Sequence, residues 1–185
     1  NRLAFILDRA IELDPTSRDA FAARSIIGLR LLGRNCELSL IDIGKAEEIG
    51  STVDTLTIAG YVYERCGDIK SGIEALRDAL LLVPNDTGWF ITRNLVMSLY
   101  KDKQISEIYK LIGEDIEAED IPARVLALYA FLEQQDGNIR RAKKYLERAK
   151  KNIFDRKRFE RQFNSEQQDL LEKTINGLSE LGSLE

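Results

Sequence analysis

The side chains able to do chemistry are few, and their spacing narrows what they could do. Histidine is absent from the 185 residues. No imidazole can serve as general base, metal ligand or pH switch, which excludes the serine–histidine and zinc–histidine constellations. Acidic residues cluster at Glu114, Asp115, Glu117, Glu119 and Asp120. A calcium loop would need a central glycine and the spacing that goes with it, and this run has neither. Carboxylate pairs carry little meaning among 31 acids, so glycoside hydrolysis is not indicated. The run reads as a solvated loop. Cys36 and Cys66 are 30 residues apart and form no C-x-x-C. They read as free thiols packed as small hydrophobes, which suits a reducing, cytosolic setting and argues against zinc or a disulfide framework. Phosphate-binding and dinucleotide-binding glycine loops, a nucleophile elbow and a zinc-protease motif are all missing. The expectation is a chain that performs no catalysis and needs no metal or cofactor.

The elements that position the remaining side chains are legible from a repeat. Gly33 and Gly67 are 34 residues apart, in Leu-Leu-Gly-Arg and Arg-Cys-Gly-Asp, and Gly137 follows 70 residues later. Ala10, Ala79 and Ala149 lie in amphipathic stretches 69 and 70 residues apart, and Pro15 and Pro84 each close such a stretch. A unit of 34 to 35 residues accounts for all these marks. In the clearest unit, from Val53 to Asp86, Leu56, Ala59, Gly60 and Tyr63 recur at helical spacing, and Ser51 with Asp54 reads as a capping box. Gly67 supplies the turn, because glycine tolerates the positive φ that a short helix–helix connection needs. Gly72, Ile73, Leu76, Ala79 and Leu80 form one face of a second helix that Pro84 stops. Small residues have a mechanical reason here, since antiparallel helices approach closely only where neither carries bulk.

This pattern resembles the tetratricopeptide repeat family over nearly the whole chain. The matching residues are Leu56, Ala59, Gly60, Tyr63, Gly67, Gly72, Leu76, Ala79 and Pro84, and again Leu126, Ala130, Gly137, Ala142, Leu146 and Ala149. The resemblance implies an all-α, right-handed superhelical solenoid of helix-turn-helix hairpins. Its array would cover residues 1–163: a partial repeat at 1–17, then repeats at about 18–50, 53–86, 89–120 and 123–156. The unit at 18–50 needs an extra residue in its second helix. The unit at 89–120 is the poorest, with Lys103 where glycine would fall and Ile108 where alanine would fall. Residues 164–185 would form a capping helix and tail, with Leu170, Leu171, Ile175, Leu178 and Leu181 on one side. A dimerisation helix is the rival reading of that segment. The chain begins with Asn inside a helical pattern, which reads as a piece of a longer protein.

In such stacks the first helices line a concave face, and the resemblance places a partner-binding set there. It comprises Arg30, Thr57, Tyr61, Glu64, Arg93, Met97, Tyr100, Arg124, Phe131 and Gln134. Aromatic and Arg side chains are the usual anchors of interface energy, so the expected ligand is a peptide or protein segment. Inter-repeat packing is the competing role for Tyr61, Met97 and Phe131. Family members that grip the acidic C-termini of heat-shock chaperones use Lys and Asn along the groove. Thr57 and Ala127 stand at matching Lys positions, so that activity is not expected.

Charge gives a second candidate surface. The chain carries 27 Lys and Arg against 31 Asp and Glu, yet Arg140 to Arg161 holds 11 basic and 3 acidic residues. The stretch belongs to the outer helix of the last repeat and its connection, where charged faces are usual. It reads as solvated, with an acidic partner (residues 114–120 of a second copy) as the alternative, and nucleic acid is not the expected partner. A homodimer, through the terminal helix or the N-terminal edge, stays open. No apolar run approaches the roughly 20 residues that a membrane span needs, and no signal peptide is visible. Leu-Asp-Pro-Thr, Val-Pro-Asn-Asp-Thr-Gly-Trp-Phe and Arg-Arg-Ala-Lys-Lys-Tyr-Leu-Glu-Arg-Ala are similar to phrases in the C-terminal repeats of bacterial class III adenylate cyclases and winged-helix regulators. That similarity implies an alternative function, as a C-terminal regulatory or dimerisation arm of such a protein.

Overall fold

A computed structural model describes residues 2–31, 36–83, 89–113 and 116–154, and these are all-helical with no strand. Pro84, the turn around Gly33 and the expected terminal helix at 165–181 lie outside the described residues. Nine helices are present among those described. They are α1 (Arg2–Leu13), α2 (Arg18–Leu31), α3 (Cys36–Ile49), α4 (Val53–Arg65), α5 (Ile69–Leu82), α6 (Phe90–Lys101), α7 (Ile105–Ile112), α8 (Ala123–Gln135) and α9 (Ile139–Phe154). Two compact units divide the chain, Asn1–Leu111 and Ile112–Glu185.

In the first unit each helix from α1 to α6 packs on the next, and the first helices of successive hairpins also touch, α2 on α4 and α4 on α6. The core is made largely of small side chains: Ala22, Ile43, Ala46, Ala59, Val62 and Ala75, with Phe21, Leu29, Leu40 and Tyr63 packed against it. Alanine and glycine let the helices close on one another. A Cβ on Gly60 would lie 2.5 Å from Leu76 Cγ, and one on Gly72 would lie 3.0 Å from the Gly60 carbonyl oxygen. Both positions therefore require glycine for packing, not for φ.

The ends of the helices follow from capping chemistry. The Thr52 hydroxyl accepts the Thr55 amide at 3.3 Å, so Thr52 caps α4 and the expected Ser51 box is displaced by one residue. Asp68 caps α5 by accepting the Ser71 amide at 3.1 Å, and this holds its carboxyl below the usual aspartate range. The hairpin turns share one device. Gly67, Lys103 and Gly137 adopt φ of 90°, 60° and 78° at the same point of three turns. Lys103 thus occupies a glycine conformation, as its place in the repeat requires.

Ion pairs tie the hairpins laterally. Arg24 of α2 donates from Nε and Nη2 to both oxygens of Asp42 at 2.8 and 2.7 Å, and from Nη1 to Asp8 of α1 at 2.9 Å. The hydrogen bonds to Asp42 raise the Arg24 pKa further, against the effect of burial. The Tyr63 hydroxyl donates to Glu47 at 2.6 Å, joining α4 to α3, and burial together with that carboxylate pushes its pKa up.

Cys36 and Cys66 are joined in a disulfide, with Cα atoms 5.3 Å apart. This corrects the reading of two free packing thiols. Cys36 opens α3 and Cys66 caps α4, so each flanks the turn of its hairpin. A separation close to one repeat brings the two turns side by side, which a linear reading of thirty residues does not reveal.

The second unit packs α8 closely on α9. Ala130, Ala142 and Ala149 are fully buried at positions equivalent to Gly60, Gly72 and Ala79. The rings of Tyr129 and Tyr145 meet edge to face, with centroids 5.2 Å apart. Glu133 is buried and paired with Arg141 at 3.0 Å. Burial, then the Glu133 charge, raises the Tyr129 pKa.

Candidate functional site

The residues expected to bind a partner fall on first helices at a repeated register. On α4 they are Thr57, Tyr61 and Glu64; on α6 they are Arg93, Met97 and Tyr100; on α8 they are Arg124, Phe131 and Gln134. Spacings of three, four and seven put each trio on one face of its helix. The two units are described in turn.

In the first unit the structure brings several of these side chains together. Arg30, exposed at the end of α2, stacks on the Tyr61 ring with its guanidinium carbon 4.8 Å from the centroid, and its Nε donates to the Tyr61 hydroxyl at 3.2 Å. An Arg over an aromatic face gains cation–π attraction and stays half-solvated, which preserves it as a contact for a ligand. Glu64 is turned toward α6, where it accepts from the Ser98 hydroxyl at 2.5 Å and from Lys101 at 2.9 Å. Its side chain is 17% exposed, so its main work is joining the first helices of adjacent hairpins. Thr57 is buried, and its hydroxyl donates back to the Val53 carbonyl at 2.7 Å. It offers little to a ligand, contrary to its place in the expected set.

On α6, Arg93, Met97 and Tyr100 are partly exposed. The Arg93 guanidinium lies 5.1 Å from the Phe90 ring centroid, and Phe90 is itself 54% exposed. Phe90 was not in the expected set, though the register contains the signal. Arg124 stands one residue into α8, and the same step back along α6 leads from Arg93 to Phe90. Four side chains at i, i+3, i+7 and i+10, Phe90, Arg93, Met97 and Tyr100, then form one stripe.

In the second unit Arg124, Phe131 and Gln134 are partly exposed along α8. The basic stretch on α9 is largely engaged within its own unit. Lys144 donates to Glu117 at 2.6 Å, and Arg148 donates to the carbonyls of Ile116 and Ala118 at 2.7 and 2.6 Å. Asn152 donates to the Ile121 carbonyl at 3.0 Å, and Lys150 pairs with Glu147. The Lys144 hydrogen bond holds the Glu117 carboxyl below its ordinary range. Glu117, read from the sequence as part of a solvated loop, is the counter-charge for α9 in the same chain. No second copy is needed to supply it.

Among the described residues no helix is long and apolar enough to cross a membrane. No protein-family model matches the chain, and no curated protein matches it.

Proposed function

We propose that the chain is a protein-interaction module of the tetratricopeptide type, binding an extended or helical segment of another protein on the face formed by its first helices. The observation that carries this reading is the arrangement on α4 and α6, which pack on each other. Arg30 stacked on Tyr61 and Arg93 stacked on exposed Phe90 place two arginine–aromatic pairs on neighbouring first helices. Met97 and Tyr100 continue the α6 stripe. Arginine and aromatic residues dominate the binding energy of protein interfaces, and Met adapts to irregular apolar partners. The concave groove of a solenoid is the setting in which such a stripe meets a ligand.

The test is a pulldown from native lysate with wild-type protein and the Arg93→Glu/Tyr100→Ala variant, with Arg124→Glu as a separate variant for the second unit. Circular dichroism confirms that each variant is folded. A partner captured by the wild type and lost by the folded double variant supports the reading and names the ligand. A partner retained by both variants moves the site off the first-helix stripes and contradicts it.

A further inference from the structure

We infer that the cleft between α5, α6 and α7 is a binding site for a small amphiphilic carboxylate, an apolar chain ending in an anionic head. This site is separate from the proposed first-helix stripe, and it arises from a departure in the repeat. The hairpins α4–α5 and α8–α9 close because Gly60 with Gly72, and Ala130 with Ala142, stand at their crossings. Counting from the turn residues Gly67 and Lys103, the equivalent positions of α6 and α7 hold Val96 and Ile108. Both are fully buried. Two β-branched side chains at the crossing hold the helices apart, and α6 and α7 make no backbone approach comparable to that of the other hairpins.

The space beside them is a cleft of about 430 Å³, within the range of small-molecule sites. Its walls are Leu80 and Leu81 of α5, Leu95 and Leu99 of α6, and Leu111 of α7. Five leucines give a buried polar group no partner, so the inserted part of a ligand must be apolar. The rim carries Arg77, Glu107 and Lys110, two cations against one carboxylate. Glu107 is matched by Lys110 at 3.1 Å and reaches Arg77 only at 3.9 Å. The other contact of Arg77, to the Gln104 amide oxygen, is 3.4 Å long. Its guanidinium therefore keeps strong donors for an anion at the mouth. A neutral apolar molecule fills the leucines but leaves Arg77 unanswered, and a cationic one meets two like charges.

The test is isothermal titration calorimetry of decanoate, below its micelle concentration, into the full chain, with decanol as the neutral comparator. Decanoate is expected to bind saturably at one site, and decanol about tenfold more weakly, the effect of one charge-assisted hydrogen bond. Arg77→Gln is expected to weaken decanoate about tenfold and leave decanol unchanged. Leu81→Glu sets a carboxylate at the mouth, and Leu81 is 77% exposed, so the fold is not at stake. That variant is expected to abolish binding with an unchanged circular dichroism spectrum. Non-saturable uptake, decanol binding as tightly as decanoate, or undiminished binding to Leu81→Glu would each overturn the assignment. So would a cleft that ignores decanoate and takes up only a leucine-bearing acidic helical peptide.

Discussion

Exchanging glycine and lysine between two hairpin turns isolates the cost of one backbone conformation. Gly67 has φ of 90° and Lys103 has φ of 60°, at the same point of successive turns. A residue with a side chain gives up roughly 1–2 kcal/mol in the left-handed region, because its Cβ crowds the following carbonyl oxygen. Glycine avoids that strain but gains about 0.4–1 kcal/mol of unfolded-state freedom. Lys103→Gly should therefore stabilise the protein by about 0.5–1 kcal/mol, a net of these two opposed effects. Gly67→Ala should destabilise it by about 1 kcal/mol. No atom lies within 4 Å of a Cβ built on Gly67, so packing does not contribute and the effect is purely conformational. Urea denaturation followed by circular dichroism reads both variants, as opposite shifts in midpoint at constant slope. A destabilised Lys103→Gly together with a neutral Gly67→Ala would refute the shared left-handed turn.

Other consequences follow from the same geometry. Cys36 and Cys66 close a loop with a sequence separation of 30, so Cys36→Ser should cost about 3–4 kcal/mol; a reductant should lower the urea midpoint of the wild type and leave that of the variant unmoved. Gly60→Ala forces a methyl group to 2.5 Å from Leu76 Cγ, for an overpacking cost of about 1–3 kcal/mol. Leu76→Ala in the same chain should recover part of that cost in a double-mutant cycle. Asp68 has a lowered folded-state pKa, so its contribution is fully present above its ordinary value of 3.8 and is lost as the pH falls through the folded-state value. Asp68→Asn keeps the cap and removes that titration, so its stability, measured by thermal melts across acidic pH, should fall less steeply.

The helices and turns were legible because they depend on local rules. Period, capping residues and left-handed turn positions are written in neighbouring residues, and Lys103 was identified as a glycine substitute from its place in the repeat. What escaped depends on contacts between repeats. Cys36 and Cys66 look remote along the chain, yet their spacing is close to the period, and counting in repeats instead of residues would have joined them. Glu64 looked like a groove residue because it is charged and correctly placed on α4, but Ser98 and Lys101 of the next hairpin engage it. Thr57 has the right register and is buried all the same, its hydroxyl satisfied by its own helix. The acidic run at 114–120 gave no sign that Glu117 would serve α9, since periodicity carries no information about which opposite charges meet. Phe90 was lost to a register begun one step late on α6.

The proposed binding face is tested most directly by photo-crosslinking. A benzophenone side chain is placed at Met97 in one sample and at Glu74, exposed on the second helix α5, in another. Both proteins are irradiated in native lysate, after circular dichroism has shown them folded. The expected result is a discrete crosslinked protein from position 97 that is absent from position 74 and is suppressed when Arg93→Glu and Tyr100→Ala are added. The same adduct from both positions, or one from position 74 alone, would contradict a partner held on the first-helix face.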